Sequence, residues 1–135
     1  MLFIQKSIDS RQVSWMSGDE VHMARVDPAL GPRGINNGSN YEFYAGETHG
    51  AAIWSPDIRE TKPFFSWWNN SGITAMTYFP EMKKLIAVTE TTCLGCGVRV
   101  DFDFDTYVLE ADSADGTIPG ASKFKLVSYM QHFGT

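Results

Sequence analysis

Hydrophobic and polar residues alternate with a period of two along most of this chain, the spacing that a half-buried strand imposes. Val21-His22-Met23-Ala24-Arg25-Val26 reads as a strand with Val21, Met23 and Arg25 on one side, ended by Asp27-Pro28. Residues 29–40 are rich in Gly, Pro, Asn and Ser and read as a loop. Tyr41 to Ala45 is a short aromatic strand, and Ala51 to Trp54 is another, closed by Ser55-Pro56-Asp57.

The second half is more regular. Ile73 to Phe79 is β-branched and aromatic and stops at Pro80. Glu81-Met82-Lys83-Lys84 is a turn, and Leu85 to Thr89 returns as the antiparallel partner. Phe102 to Asp112 forms the next strand, and the loop 113–122 leads into Phe124 to Tyr129. Four consecutive strands without a helical period between them make a meander, the unit of a β-propeller blade. The expected class is therefore all-β, built of antiparallel meander sheets. It is read as one to two blades: 1–72 a partial blade with loops, 73–129 one four-stranded blade. A four-stranded sheet cannot bury both faces alone. Two blades do not close a ring, so the chain is expected to be part of a larger propeller or a small sandwich.

Composition narrows the function classes. Apolar residues make up 43% of the 135, enough for a core. Aromatics reach 13%, which serves a core, a partner surface or sugar platforms. Net charge is −5 and the longest basic run is Lys83-Lys84, so neither nucleic acid nor an anionic membrane surface is an expected partner. No apolar stretch approaches the ~20 residues of a membrane-spanning helix. The opening residues Met1 to Ser10 lack the long apolar run of a secretion signal. The chain is thus expected to be intracellular or to lack its true N-terminus.

Several strings resemble one known group. Tyr41-Glu42-Phe43-Tyr44-Ala45-Gly46, Trp54-Ser55-Pro56-Asp57-Ile58 and Lys62-Pro63-Phe64-Phe65 resemble the middle of secreted five-bladed β-propeller proteins of bacteria and fungi. These are related in fold to arabinanase and β-xylosidase-type glycoside hydrolases. Gly72 to Lys84, Phe104 to Asp112 and Lys125 to Met130 are similar to the same group, as is Val21 to Val26. The likeness covers about residues 20–133 and consists of strand texts rather than a catalytic motif. Two departures stand out. Gly116-Thr117-Ile118-Pro119-Gly120 replaces a Gly-Pro-Trp turn, and the chain stops at Thr135 where such proteins continue. The resemblance implies a secreted full-length protein that binds or acts on carbohydrate, with a non-catalytic scaffold or protein-binding module as the alternative. It implies no cofactor. Exposed blade edges would also let the chain self-associate.

The candidate chemistry is sparse. Asp101-Phe102-Asp103-Phe104-Asp105 sets carboxylates on one strand face, roughly 6.5–7 Å apart, a spacing compatible with glycoside hydrolysis. A solvated strand face is the simpler reading. The string departs from a calcium loop, with Thr106 and Asp112 where Gly and Glu are needed. Glu110 lies mid-strand, where a carboxylate could face a sugar hydroxyl or form a salt bridge. Trp67-Trp68 precedes a candidate inner strand ending in Tyr78-Phe79; an exposed Trp there would stack on a sugar, and a buried one would pack between blades. Trp68, Tyr78, Asp105 and Glu110 are the candidate substrate-binding residues, and no catalytic residue is assigned. Cys93 and Cys96 are the only cysteines, too few for a structural zinc site. They read as a loop disulfide outside the cell and as free thiols inside it. His22, His49 and His132 show no ligand spacing, and His49 reads as a solvated loop residue. Asn37-Gly38-Ser39 and Asn69-Asn70-Ser71 match the glycosylation triplet.

Overall fold

The computed structural model describes residues 2–6, 20–66, 75–92 and 104–131. They form two antiparallel sheets, as the alternation predicts. The first contains β1 (Leu2–Lys6), β2 (Glu20–Arg25), β3 (Glu42–Thr48), β4 (Ala51–Ser55) and the two-residue β5 (Phe65–Ser66). Its order is β1-β2-β3-β4, with β5 also paired to β2. Partner strands β3 and β5 take different parts of β2: Ala24 and Arg25 pair with β3, Glu20 and Val21 with β5. The second sheet is the expected meander, β6 (Ala75–Phe79), β7 (Lys84–Thr92), β8 (Phe104–Asp112) and β9 (Lys125–Gln131), in sequence order.

Turn chemistry explains the hairpins. His49 and Gly50, between β3 and β4, have φ of 51° and 78°. Two central residues with positive φ make the primed turn that matches strand twist. His49 is thus an exposed turn residue. Gly46 (φ 108°) lies within the register shift between Tyr44 and Glu47, a bulge that favours glycine. Residues 80–83 join β6 to β7, so Lys84 belongs to the strand rather than to the turn. Residues 28–40 depart from a plain loop: Asp27 caps a 3₁₀ turn over Pro28–Leu30, a five-residue helix α1 follows (Gly31–Ile35), and Asn37 caps a second 3₁₀ turn.

One core serves both sheets. Val21, Met23, Tyr44, Phe64 and Phe65 from the first half pack with Leu85, Ala87, Leu109, Ala111 and Phe124 from the second. In β7 and β8 the buried residues alternate, Leu85 with Ala87 and Leu109 with Ala111. Strand β2 breaks this rule. His22 and Ala24 are buried as well as Val21 and Met23, because Thr61 and its neighbours cover its second face. Aromatic edges fill the seam: Phe64 lies 4.8 Å from Tyr44 and 5.3 Å from Phe124, both near perpendicular. The favoured edge-to-face geometry adds about 0.5–1.5 kcal/mol per pair beyond burial.

Polar ties cross the same seam. The Ala121 N–H donates to Tyr44 Oη at 3.0 Å, and the Gly120 N–H to the Gly50 carbonyl at 2.9 Å. A Cβ on Gly120 would lie 2.6 Å from Glu47 Cβ, so only glycine fits there. Burial pushes the Tyr44 phenol above its ordinary value of 10.0; the Ala121 bond pulls it down and the Glu47 charge pushes it up. The folded state therefore holds a proton that the unfolded chain releases near pH 10. Stability is full below that pH and declines as pH rises through the folded pKa. Urea titrations from pH 8 to 11 should show this decline, and Tyr44→Phe should flatten it. An equal decline in both proteins refutes the assignment.

Candidate functional site

Strands β2 and β3 and the connection between them enclose a cleft of about 340 Å³, lined by Arg25, Val26, Asp27, Asn40 and Glu42. Its volume falls at the small end of ligand sites. Each lining residue is fixed by local structure. Asp27-Pro28 ends β2, and Asp27 Oδ1 accepts from the Ala29 N–H at 2.9 Å. Asn40 Nδ2 donates to the Gly34 carbonyl at 2.9 Å, tying the end of the connection to α1. Arg25 and Glu42 are cross-strand partners, and Arg25 Nε and Nη2 each lie 2.7 Å from Glu42 Oε2. The Arg25 guanidinium also sits 4.2 Å from the centre of the Trp54 ring.

The arrangement presents a guanidinium, two carboxylates and an amide beside an indole. These are planar groups that bind paired hydroxyls. One positive and two negative side chains give the lining a formal charge of −1, which disfavours anionic ligands. Half-exposure of the Arg25–Glu42 pair (45% for each side chain) means that solvent screens it. Its role is to set the position of the two groups rather than to stabilise the fold.

A second polar group lies on the other face of β2. His22 Nε2 is 3.1 Å from Glu20 Oε2, and Nδ1 is 3.1 Å from Thr61 Oγ1. The two ring nitrogens thus bridge the Glu20 carboxylate and the Thr61 hydroxyl. The order hydroxyl, imidazole, carboxylate matches an acyl-transfer relay. Yet His22 is only 6% exposed, and Thr61 Oγ1 also lies 3.3 Å from the Tyr44 carbonyl. Burial makes it a clip between β2 and the chain at Thr61. Ser55 donates to Glu60 on the same face. Among the described residues, no three His, Cys, Asp or Glu side chains converge on a metal position. Within the same residues, no helix is long and apolar enough to cross a membrane.

The residues singled out from sequence do not gather in one place. Tyr78 is half-buried on the core side, its hydroxyl donating to the Ala114 carbonyl at 3.0 Å and its ring against Gly116. Glu110 points to the opposite face, 2.8 Å from Lys84 Nζ, which also reaches Asp112 at 3.2 Å. These two carboxylates raise the Lys84 pKa, Glu110 most. Asp105 stands on β8 opposite Thr91 and Gln131, five positions from Glu110, or roughly 17 Å along the strand. Trp67, Trp68, Asp101, Asp103, Cys93, Cys96, His132 and Asn69 to Ser71 lie outside the described residues.

The cleft residues escaped the sequence reading. Arg25 and Glu42 are isolated charges in strand text, and only the β2–β3 register makes them neighbours. Charged residues at strand ends flanking a turn-rich stretch, with a Trp one strand away, are the signal that could have found them. Compared with family models, curated proteins and solved structures, the chain matches none.

Proposed function

We propose that the chain binds carbohydrate, with the cleft at Arg25, Asp27, Asn40 and Glu42 receiving a neutral sugar. The cleft carries this reading: paired hydroxyls match its planar donors and acceptors, and its negative balance turns away uronates and phosphates. The Trp54 ring lies against the Arg25 guanidinium and helps hold it towards the cleft. The chain in this reading contributes two blades to a secreted five-bladed propeller of the glycoside hydrolase-like type. Two meander sheets sharing one core support that architecture. No catalytic role is given to Asp27 or Glu42, because hydrolysis needs two carboxylates on opposite sides of the scissile bond.

A glycan array followed by calorimetry tests the proposal. Neutral oligosaccharides should bind, and Arg25→Ala, Asp27→Ala and Glu42→Gln should each weaken binding about tenfold or more, as expected for losing one charged hydrogen bond. Arg25→Ala and Glu42→Gln lie at the surface and should leave the melting temperature in place, whereas Asp27→Ala also removes the cap on the Ala29 N–H and should lower it slightly. Absence of binding to any glycan at millimolar concentration, or binding indifferent to all three substitutions, overturns it.

A further inference from the structure

The connection between β2 and β3 holds a short motif that the cleft does not use. Asn37-Gly38-Ser39 fits the triplet Asn-x-Ser with a residue other than proline in the middle, the acceptor sequence for an N-linked glycan. Such triplets arise by chance, so the structure around this one decides its meaning. All three residues are exposed. A Cβ placed on Gly38 would meet nothing within 4 Å, so the space over the triplet is open.

The two ends of the Asn37 side-chain amide are used differently. Oδ1 accepts from the Ser39 N–H at 3.1 Å and from the Ser39 hydroxyl at 2.8 Å. A backbone N–H only donates, which fixes which amide atom is the oxygen. Nδ2 is the atom to which an N-linked sugar is joined, and among the described residues it has no hydrogen-bond partner. The neighbouring asparagines differ. Asn40 gives Nδ2 to the Gly34 carbonyl, and neither Asn36 nor Asn40 has Ser or Thr two places on. At Asn37 the oxygen caps the 3₁₀ turn Gly38–Asn40 and the nitrogen is left to solvent.

We propose that Asn37 carries an N-linked glycan. The inference rests on the secreted reading above, since the transfer takes place on chains entering the secretory route. Nδ2 attacks the anomeric carbon of an oligosaccharide held on a lipid diphosphate. The new C–N bond forms as the C–O bond to the diphosphate breaks, the lipid diphosphate leaves, and one amide proton passes to the transferase. Transfer precedes folding, so the folded chain has only to accommodate the product. A substituted Nδ2 keeps its second proton, both Ser39 bonds to Oδ1 stay, and the sugar extends from an exposed residue into open space. The Asn37 carbonyl accepts the Asn40 N–H at 3.0 Å, so the glycan is rooted one turn from the cleft lining.

Mass spectrometry of the protein from its own source tests this. Trypsin cuts after Arg33 and Arg59 and isolates residues 34–59, which separates Asn37 from the second triplet at Asn69. That peptide should carry a hexose and N-acetylhexosamine mass series that a glycan-releasing amidase removes. Two variants made in the same source should lose it. Ser39→Ala removes the required hydroxyl but keeps the N–H that Asn37 caps. Gly38→Pro puts the one forbidden residue in the middle of the triplet, at the first position of the 3₁₀ turn, where proline is well tolerated. The extended backbone of Asn37 (φ −95°, ψ 109°) suits a residue before proline. Ser39→Thr should keep the glycan. A bare peptide in protein recovered outside the cell, or sugar that survives both Ser39→Ala and Gly38→Pro, overturns the inference and leaves the cleft reading standing. Protein found only inside the cell, with the peptide bare, overturns the secreted reading and this inference with it.

Discussion

Phe64→Ala should lower the free energy of unfolding by about 3–5 kcal/mol, the usual cost of emptying an aromatic site in a core. Phe64 is only 3% exposed and touches three aromatic rings: Tyr44 and Phe65 each at 4.8 Å and Phe124 at 5.3 Å. Tyr44 and Phe65 belong to the first sheet and Phe124 to the approach to β9, so the ring spans the joint between the sheets. Removing it takes contacts from both sides at once, and rigid strand backbones limit collapse into the void. Domains commonly hold about 5–15 kcal/mol in all, so this single change consumes a large share. Urea unfolding should show a lower midpoint with an unchanged slope. Phe64→Leu, which keeps most of the volume, should cost less than half as much. A loss under about 1 kcal/mol for Phe64→Ala would mean that the sheets do not share this core.

His22→Ala should cost about 2–3 kcal/mol, from a cavity and two lost hydrogen bonds. The ring is 6% exposed and joins Glu20 on its own strand to Thr61 some 39 positions on. Its partners fare differently after the change. The Glu20 side chain is 21% exposed and can turn to water, whereas Thr61 keeps the Tyr44 carbonyl within reach. The cost therefore stays below that of a stranded buried charge. A double-mutant cycle with Thr61→Val should give a coupling above about 0.5 kcal/mol. Additive effects would show that His22 and Thr61 do not interact. Sugar binding should survive the change, since the clip faces away from Arg25 and Glu42.

Much of the strand content was legible in alternation alone, and the reasons are local. Ala75 to Phe79 ends at Pro80, Lys84 follows the turn, and buried and more exposed side chains alternate from Lys84 to Thr89. Strands β1 and β5 escaped notice for opposite reasons. Leu2-Phe3-Ile4 is a run of three apolar residues without alternation, and a two-residue strand has no period at all. The helix α1 is hidden by its two glycines and a proline, residues that punctuate helices more often than they build them. Site residues were less legible because register decides them. Sequence alone leaves Glu110 either facing a ligand or in a salt bridge, and its partner Lys84 lies 26 positions earlier. Arg25, Glu42 and Trp54 converge only after β2, β3 and β4 have paired.

The tie between Ala121 and Tyr44 spans 77 positions. Apart from the short β2–β5 pair, each sheet's ladder joins strands that follow one another in the chain. The order of events in folding follows from that difference. Hairpins close on the scale of microseconds, because short loops lose little entropy on closure. Docking of one sheet on the other must wait for a long loop to close and then gains Phe64, Phe124 and the Gly50–Gly120 link together. High contact order of this kind places the chain among the millisecond-to-second folders. Substitutions at the seam, unlike those in the hairpins, act on the side of the barrier where the sheets come apart, and they shorten the lifetime of the folded protein more than they slow its formation.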